Sequence, residues 1–150
     1  MADRVEFELV TPERLLLSQM VEMVVVPGTE GNFGVLRGHA PLISTIRPGM
    51  IEIYQGQTVT RRVFVLSGIA EVTPERCTVL ADEAISPDTL DRSAIEADLR
   101  ILEGNLPSLR DQVARAADTD RERLIIELNR LEREQGVLQA KLQALGEIAH

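Results

Sequence analysis

Val79-Leu80-Ala81-Asp82-Glu83-Ala84-Ile85-Ser86-Pro87-Asp88-Thr89-Leu90-Asp91-Arg92-Ser93-Ala94-Ile95 holds a change of period. Before Ser86 the apolar positions follow the two-residue repeat of strands; after it they follow the three-to-four-residue repeat of helices. Proline fixes its own φ and disfavours helix at the residue before it. Ser86-Pro87-Asp88 therefore marks a boundary between an all-β domain, residues 1–86, and a helical part, residues 87–150.

Toward the N-terminus, Val5, Phe7 and Leu9 alternate with Glu6, Glu8 and Val10, which predicts a half-buried strand. Further strands are predicted at Leu15–Leu17, Val21–Val26, Gly34–Leu36, Leu42–Ile46, Met50–Tyr54, Val59–Leu66, Ile69–Val72 and Cys77–Ala84. Pro27-Gly28, Gly38, Pro48-Gly49, Gln55-Gly56, Ser67-Gly68 and Thr73-Pro74 separate them, and each contains a residue suited to turns. So many strands in so short a chain leave only hairpin-length connections, so the sheet is expected to be mainly antiparallel, as in a sandwich or barrel.

Toward the C-terminus, Ile95, Leu99, Leu102, Leu106, Leu109 and Val113 form one apolar stripe on a helix capped by Asp88 or Asp91. Pro107 lies in that stripe and predicts a kink near Gly104-Asn105. Ala116-Ala117-Asp118 closes the helix, and Thr119-Asp120-Arg121-Glu122 has the form of a capping box opening a second one. Leu124, Leu128, Leu131, Gln135, Leu138, Leu142, Leu145 and Ala149 then make a near-heptad stripe with one polar break. Joined by a short loop, the two helices are expected to form an antiparallel hairpin with a charged outer surface.

Composition narrows the function. The net charge of −8 divides into −4 on each side of Ser86, and no basic patch is interleaved with aromatics, so nucleic acid is not an expected partner. No apolar run reaches the length of a membrane span, and Met1–Val10 lacks the apolar core of a signal peptide, so a cytoplasmic protein with no transmembrane segment is expected. Cys77 is alone and falls in an apolar strand pattern, which reads as a buried thiol. With one cysteine and two histidines, His39 and His150, no metal site is expected, nor any cofactor. Gly28-Thr29-Glu30-Gly31-Asn32-Phe33-Gly34 superficially resembles a phosphate cradle, but strands follow it where a cradle needs a helix, so a tight turn is predicted. His39 has no nucleophile and acid in triad context, and no catalytic residues are assigned.

Three blocks carry a resemblance: Gly31-Asn32-Phe33-Gly34-Val35-Leu36-Arg37-Gly38-His39-Ala40-Pro41-Leu42, then Ile46-Arg47-Pro48-Gly49-Met50-Ile51, then Leu66-Ser67-Gly68-Ile69-Ala70-Glu71-Val72 with Val79-Leu80-Ala81-Asp82. In order and spacing they closely resemble the epsilon-subunit family of bacterial F-type ATP synthases. The resemblance implies a ten-stranded antiparallel β-sandwich followed by a regulatory two-helix hairpin. It further implies a non-catalytic central-stalk subunit of a proton-translocating ATP synthase, peripheral on the cytoplasmic face of the bacterial inner membrane. Such a subunit binds the gamma subunit and the c-ring and passes ring rotation to the catalytic head.

Carried over by position, Thr11, His39 and Ser44 would face gamma, and Glu30 and Asn32 the c-ring. Arg121, Arg123, Arg130, Arg133 and Lys141 would meet the beta subunit, if the helices reach the alpha and beta subunits to inhibit hydrolysis. The family's nucleotide motif, Ile or Leu, Asp, two variable residues, then Arg-Ala, begins here with Leu90 and Asp91. Ala94 and Ile95 then replace Arg-Ala, so nucleotide binding is expected to be weak or absent. A rival reading is a free-standing adaptor that dimerises through its helices, because a leucine repeat broken by Gln135 also suits pairing between chains.

Overall fold

The computed structural model describes residues 3–148; Met1, Ala2, Ala149 and His150 lie outside the described residues. The chain divides into two compact units, Met1–Thr89 and Leu90–His150.

The first unit is a ten-stranded sheet curled into a sandwich: β1 (Val5–Val10), β2 (Leu15–Val21), β3 (Met23–Gly28), β4 (Gly31–Val35), β5 (Leu42–Ile46), β6 (Gly49–Gln55), β7 (Thr58–Val65), β8 (Gly68–Val72), β9 (Arg76–Ala81) and β10 (Ala84–Ile85). The strand order is β10-β7-β6-β3-β5-β8-β9-β1-β2, with β4 paired to β3. All pairs are antiparallel except β1 with β9, which is parallel. Alternation in β1 buries Val5, Phe7 and Leu9 completely or nearly so, against Val21, Val24, Ile51, Ile53, Val72, Cys77 and Val79. Each such side chain contributes about 1.5–3 kcal/mol by leaving water. With no tryptophan and three phenylalanines, aliphatic packing fills the interior.

Two predicted strands divide. Val21–Val26 breaks at Glu22, where the chain leaves β1's neighbour and begins β3 beside β6. No glycine or proline announces the break. Glu22 is held instead by distant partners, its N–H donating to Tyr54 O (3.2 Å) and its carboxylate accepting from Gly56 N (2.8 Å). Cys77–Ala84 breaks at Asp82-Glu83, sending Ala84–Ile85 across to β7. The glycine-rich segment is a hairpin, Gly28 pairing with Gly31 around Thr29-Glu30.

The second unit is a hairpin of α1 (Arg92–Arg115) and α2 (Asp118–Ile148). Asp91 caps α1, its side chain accepting from Ala94 N (3.3 Å). The helix runs from Arg92 to Arg115 with Pro107 inside it; the proline has no N–H to give Glu103 O. Ile95, Leu102, Leu106 and Leu138 form the buried seam, flanked by Leu90, Leu99, Leu128, Leu131, Leu142 and Leu145. The predicted capping box is displaced. Asp120 N and Arg121 N both donate to Ala117 O, so α2 starts at Asp118 and Thr119 already lies in its first turn. Asp118 and Asp120 there favour the positive end of the helix dipole. Gln135, the polar break in the heptads, donates across the hairpin to Glu103 (2.9 Å).

Candidate functional site

Register determines which turns share an end of the sheet. Gly28 pairs with Ile46, Ile46 with Gly68, Gly68 with Ala81, and Leu80 with Val10. The turns Thr11–Arg14, Thr29-Glu30, Arg47-Pro48, Leu66-Ser67 and Asp82-Glu83 therefore lie along one rim. Glu30 and Asn32 are on this rim, and so is Thr11. His39 is at the opposite end, in the β4–β5 loop that Gly38 N ties to Pro74 O (2.7 Å).

Local bonding decides what each rim residue can offer. Thr11 is 8% exposed, and its hydroxyl closes its own turn on Arg14 O (3.3 Å). The β3–β4 tip is strapped to β5, with Thr29 N donating to Thr45 O (3.0 Å) and the two threonine hydroxyls 2.8 Å apart. Asn32 Oδ1 accepts from the Arg47 guanidinium, whose backbone N–H is fixed to Pro27 O (3.0 Å). Glu30 stands exposed at the tip. The rim thus presents a carboxylate beside a held cation, and Arg47 is a component that the sequence reading did not single out. His39, half-buried, places Nδ1 2.7 Å from Ala40 O.

The outward face of the sheet carries a second feature. Antiparallel and parallel partners project to the same side, so Thr45–Ile69, Ile69–Leu80, Leu80–Val10 and Val10–Leu15 form one row across β5, β8, β9, β1 and β2 next to the rim. Ile69, Leu80 and Leu15 are about half exposed, and Ile43, one row further in, is 72% exposed. Thr11 is buried beside one end of this band, and Ser44 pairs with the buried Ala70, so its side chain lies on the inner face of the sheet, away from the band. Deeper rows are polar, with Arg76 bonded to Glu6 (3.0 Å) and near Glu8 (3.4 Å), a pairing that raises the arginine's pKa chiefly through the hydrogen bond to Glu6. A signal for the band exists in the sequence: Leu42-Ile43 and Val79-Leu80 are apolar on consecutive positions, so both faces of those strands are apolar.

On α2, positions 123, 130 and 141 fall within about 20° of one another at 100° per residue, whereas 121 and 133 point elsewhere. Arg123, Arg130 and Lys141 therefore share a line. Arg130 is already engaged by Glu127 (2.7 Å) and Glu134 (3.6 Å); its hydrogen bond to Glu127 raises its own pKa and lowers that of Glu127. Leu90 packs on the helical seam and Asp91 caps α1, so both residues of the partial nucleotide motif have structural work. Cys77 is buried, and burial pushes its thiol up to about 12. Among the described residues no group of three histidine, cysteine or acidic side chains is arranged to hold a metal, and no helix is long and apolar enough to cross a membrane.

Residues 4–87 match the family described as ATP synthase, Delta/Epsilon chain, beta-sandwich domain. The ATP synthase epsilon chain of Rhodospirillum rubrum is 53% identical over 116 residues, 77% of this chain and 87% of that one. That of Rhodospirillum centenum is 53% identical over 127 residues, 83% and 84% of the two chains. In the cryo-EM structure of the Euglena gracilis mitochondrial ATP synthase, OSCP/F1/c-ring in rotational state 1, one chain matches with a TM-score of 0.62 at 17% identity, covering 98% of this chain and 82% of that one. At that identity the likeness is one of fold.

Proposed function

Because the chain belongs to the ATP synthase delta/epsilon family, we propose that its sandwich clamps a rotating shaft, gripping the gamma subunit with its outer face and the c-ring with its rim. It is an epsilon chain, a non-catalytic central-stalk subunit of ATP synthase. The observation that carries the finer reading is the band formed by Leu15, Val10, Leu80 and Ile69 with Ile43 beside it, an apolar strip on the solvent side of a sheet whose other rows are charged. Such a patch marks a surface that a protein partner covers, and gamma is the partner expected there. Glu30 and Arg47 at the adjoining rim supply a polar contact for the c-ring. A sheet packed at interior density deforms little, so proton-driven rotation of the ring passes through the subunit without loss. The subunit sits at the cytoplasmic face of the bacterial inner membrane, held there by the ring.

Residues 90–150 form the part that reaches the alpha and beta subunits and restrains hydrolysis, through the line of Arg123, Arg130 and Lys141. The carboxylates around Arg130 weaken its pull on an acidic partner, so the restraint depends more on Arg123 and Lys141. The test of the clamp is the double variant Ile69→Ser with Leu80→Ser, titrated with purified gamma. Both sites are half exposed, so the fold is retained, and gamma affinity is expected to fall at least tenfold, about 1.4 kcal/mol. Unchanged affinity removes the band from the interface. Assembly of a chain ending at Thr89 tests the second part: hydrolysis should rise while synthesis persists.

A further inference from the structure

The curled sheet does not close on itself. Its end strands β2 and β10-β7 have no hydrogen-bonded pairing with each other among the described residues, and a hollow of about 360 Å³ opens between them. Leu16, Leu17 and Val63 form its apolar floor, and Arg14, Arg61 and Arg62 stand around it. Arg62 is paired with Glu52 (3.0 Å), but Arg14 and Arg61 have no carboxylate within 4 Å among the described residues. In a chain of net charge −8, Arg14 and Arg61 are a local concentration of unpaired positive charge beside half-buried aliphatic groups.

The edge of β7 shows what shape of ligand fits. Leu66 N donates to Glu83 O, so alternate residues of β7, Phe64 and Arg62 among them, turn their backbone N–H and C=O away from β6. Phe64 is paired by Ile85, the last residue of β10. The chain then departs at Ser86-Pro87, where Thr89 N bonds back to Ser86 O (3.0 Å). Among the described residues no strand pairs with the outward backbone N–H and C=O of Arg62, although the turn Pro87–Thr89 still lies near β7.

We propose that this seam receives an extended acidic segment of a partner polypeptide, which continues the β10 position along β7. Its backbone pairs with Arg62, and the face it turns to the hollow carries both apolar side chains over Leu16, Leu17 and Val63 and a carboxylate that meets Arg61 and Arg14. A strand added to an exposed edge gains main-chain hydrogen bonds, while alternate side chains give specificity. A bare anion would use the arginines and leave the apolar floor and the strand edge unused. A second copy of the chain is disfavoured as occupant because copies meeting seam to seam would bring Arg14 and Arg61 against each other. The site is independent of the gamma-facing band and survives if that band has no role.

The test is nuclear magnetic resonance of the full-length ¹⁵N-labelled chain, titrated with an eight-residue peptide of valines and glutamates in which both residue types occur on each face of the extended strand. Saturable shifts are expected at the Arg62, Leu16 and Leu17 amides, with hydrogen exchange of the Arg62 amide slowed at least tenfold. The double variant Arg14→Ala with Arg61→Ala, both exposed and so compatible with the fold, should weaken binding at least tenfold. A valine–lysine peptide of the same length should give no shifts. The proposal fails if the two peptides shift the same amides equally, if inorganic phosphate reproduces the shifts, if labelled chain self-associates through these amides, or if about 1 mM acidic peptide leaves Arg62 exchange unchanged.

Discussion

Replacing Gly68 by alanine should disable the sandwich far more than the same change at Gly31, although both glycines have positive φ. Gly68 has φ +148° and Gly31 φ +130°, so each substitution forces an L-residue into a region it rarely occupies, at about 1–3 kcal/mol. The surroundings separate them. A Cβ at Gly31 meets nothing within 4 Å, whereas one at Gly68 would lie 2.0 Å from Leu80 O and 2.9 Å from Ala81 Cα. Those atoms are backbone and cannot swing aside. Relief requires β8 and β9 to part where Gly68 pairs with Ala81 and Ile46. Losing one or two ladder hydrogen bonds at about 1 kcal/mol each brings the total for Gly68→Ala to roughly 2–5 kcal/mol, against about 1–3 for Gly31→Ala. A domain of this size has about 5–15 kcal/mol in hand, so the variant should populate unfolded sandwich at modest urea concentrations. Tyr54 is the single tyrosine, in β6, and the chain lacks tryptophan. Tyrosine fluorescence during urea unfolding therefore reports the β-domain without interference from the helices. Equal stability of the two variants, within about 1 kcal/mol, would refute the argument that the β8–β9 approach requires a bare Cα.

Cys77, with its thiol pushed up to about 12 from an ordinary 9.0, is protonated in the folded chain at pH values where the unfolded chain ionises it. The unfolded state then binds fewer protons, so stability should decline from about pH 9 toward pH 12 by up to about 1.4 kcal/mol per unit. Cys77→Ala should remove that part of the decline, and a thiol reagent at pH 8 should label the native protein only as fast as it unfolds. Isothermal titration of the full chain with ATP should give no saturable heat at concentrations up to about 1 mM, since Ala94 and Ile95 bring no cation to a phosphate and Asp91 is committed to capping α1. Micromolar affinity would show that other residues supply the site.

What was legible in the sequence follows from which forces are local. Alternation in Val5–Val10, the glycine hairpin at Gly28–Gly31 and the leucine stripe of the helices are set by neighbours two to four positions apart, and each stands in the structure as the pattern predicts. The reversals at Glu22 and Asp82-Glu83 were not legible, because their cause lies in partners more than ten positions away: Tyr54 and Gly56 hold the first, and Ser67, whose carbonyl accepts from Asp82 N (2.9 Å) and whose hydroxyl bonds to the Asp82 carboxylate, holds the second. The same distinction governs the site. Residue positions 11, 39 and 44 came from likeness to a family and carry no information about which side of a strand faces outward. Pairing register supplies it, separating His39 from Thr11 by the length of the sheet and aligning Ile69, Leu80, Val10 and Leu15 into a row that belongs to four different stretches of sequence. A surface of that kind exists only once the parallel β1–β9 pairing has formed. That pairing joins residues some 70 positions apart, so a single substitution that slips it by one residue would turn Leu80 inward and Val79 outward, and would erase the band while leaving every local pattern intact.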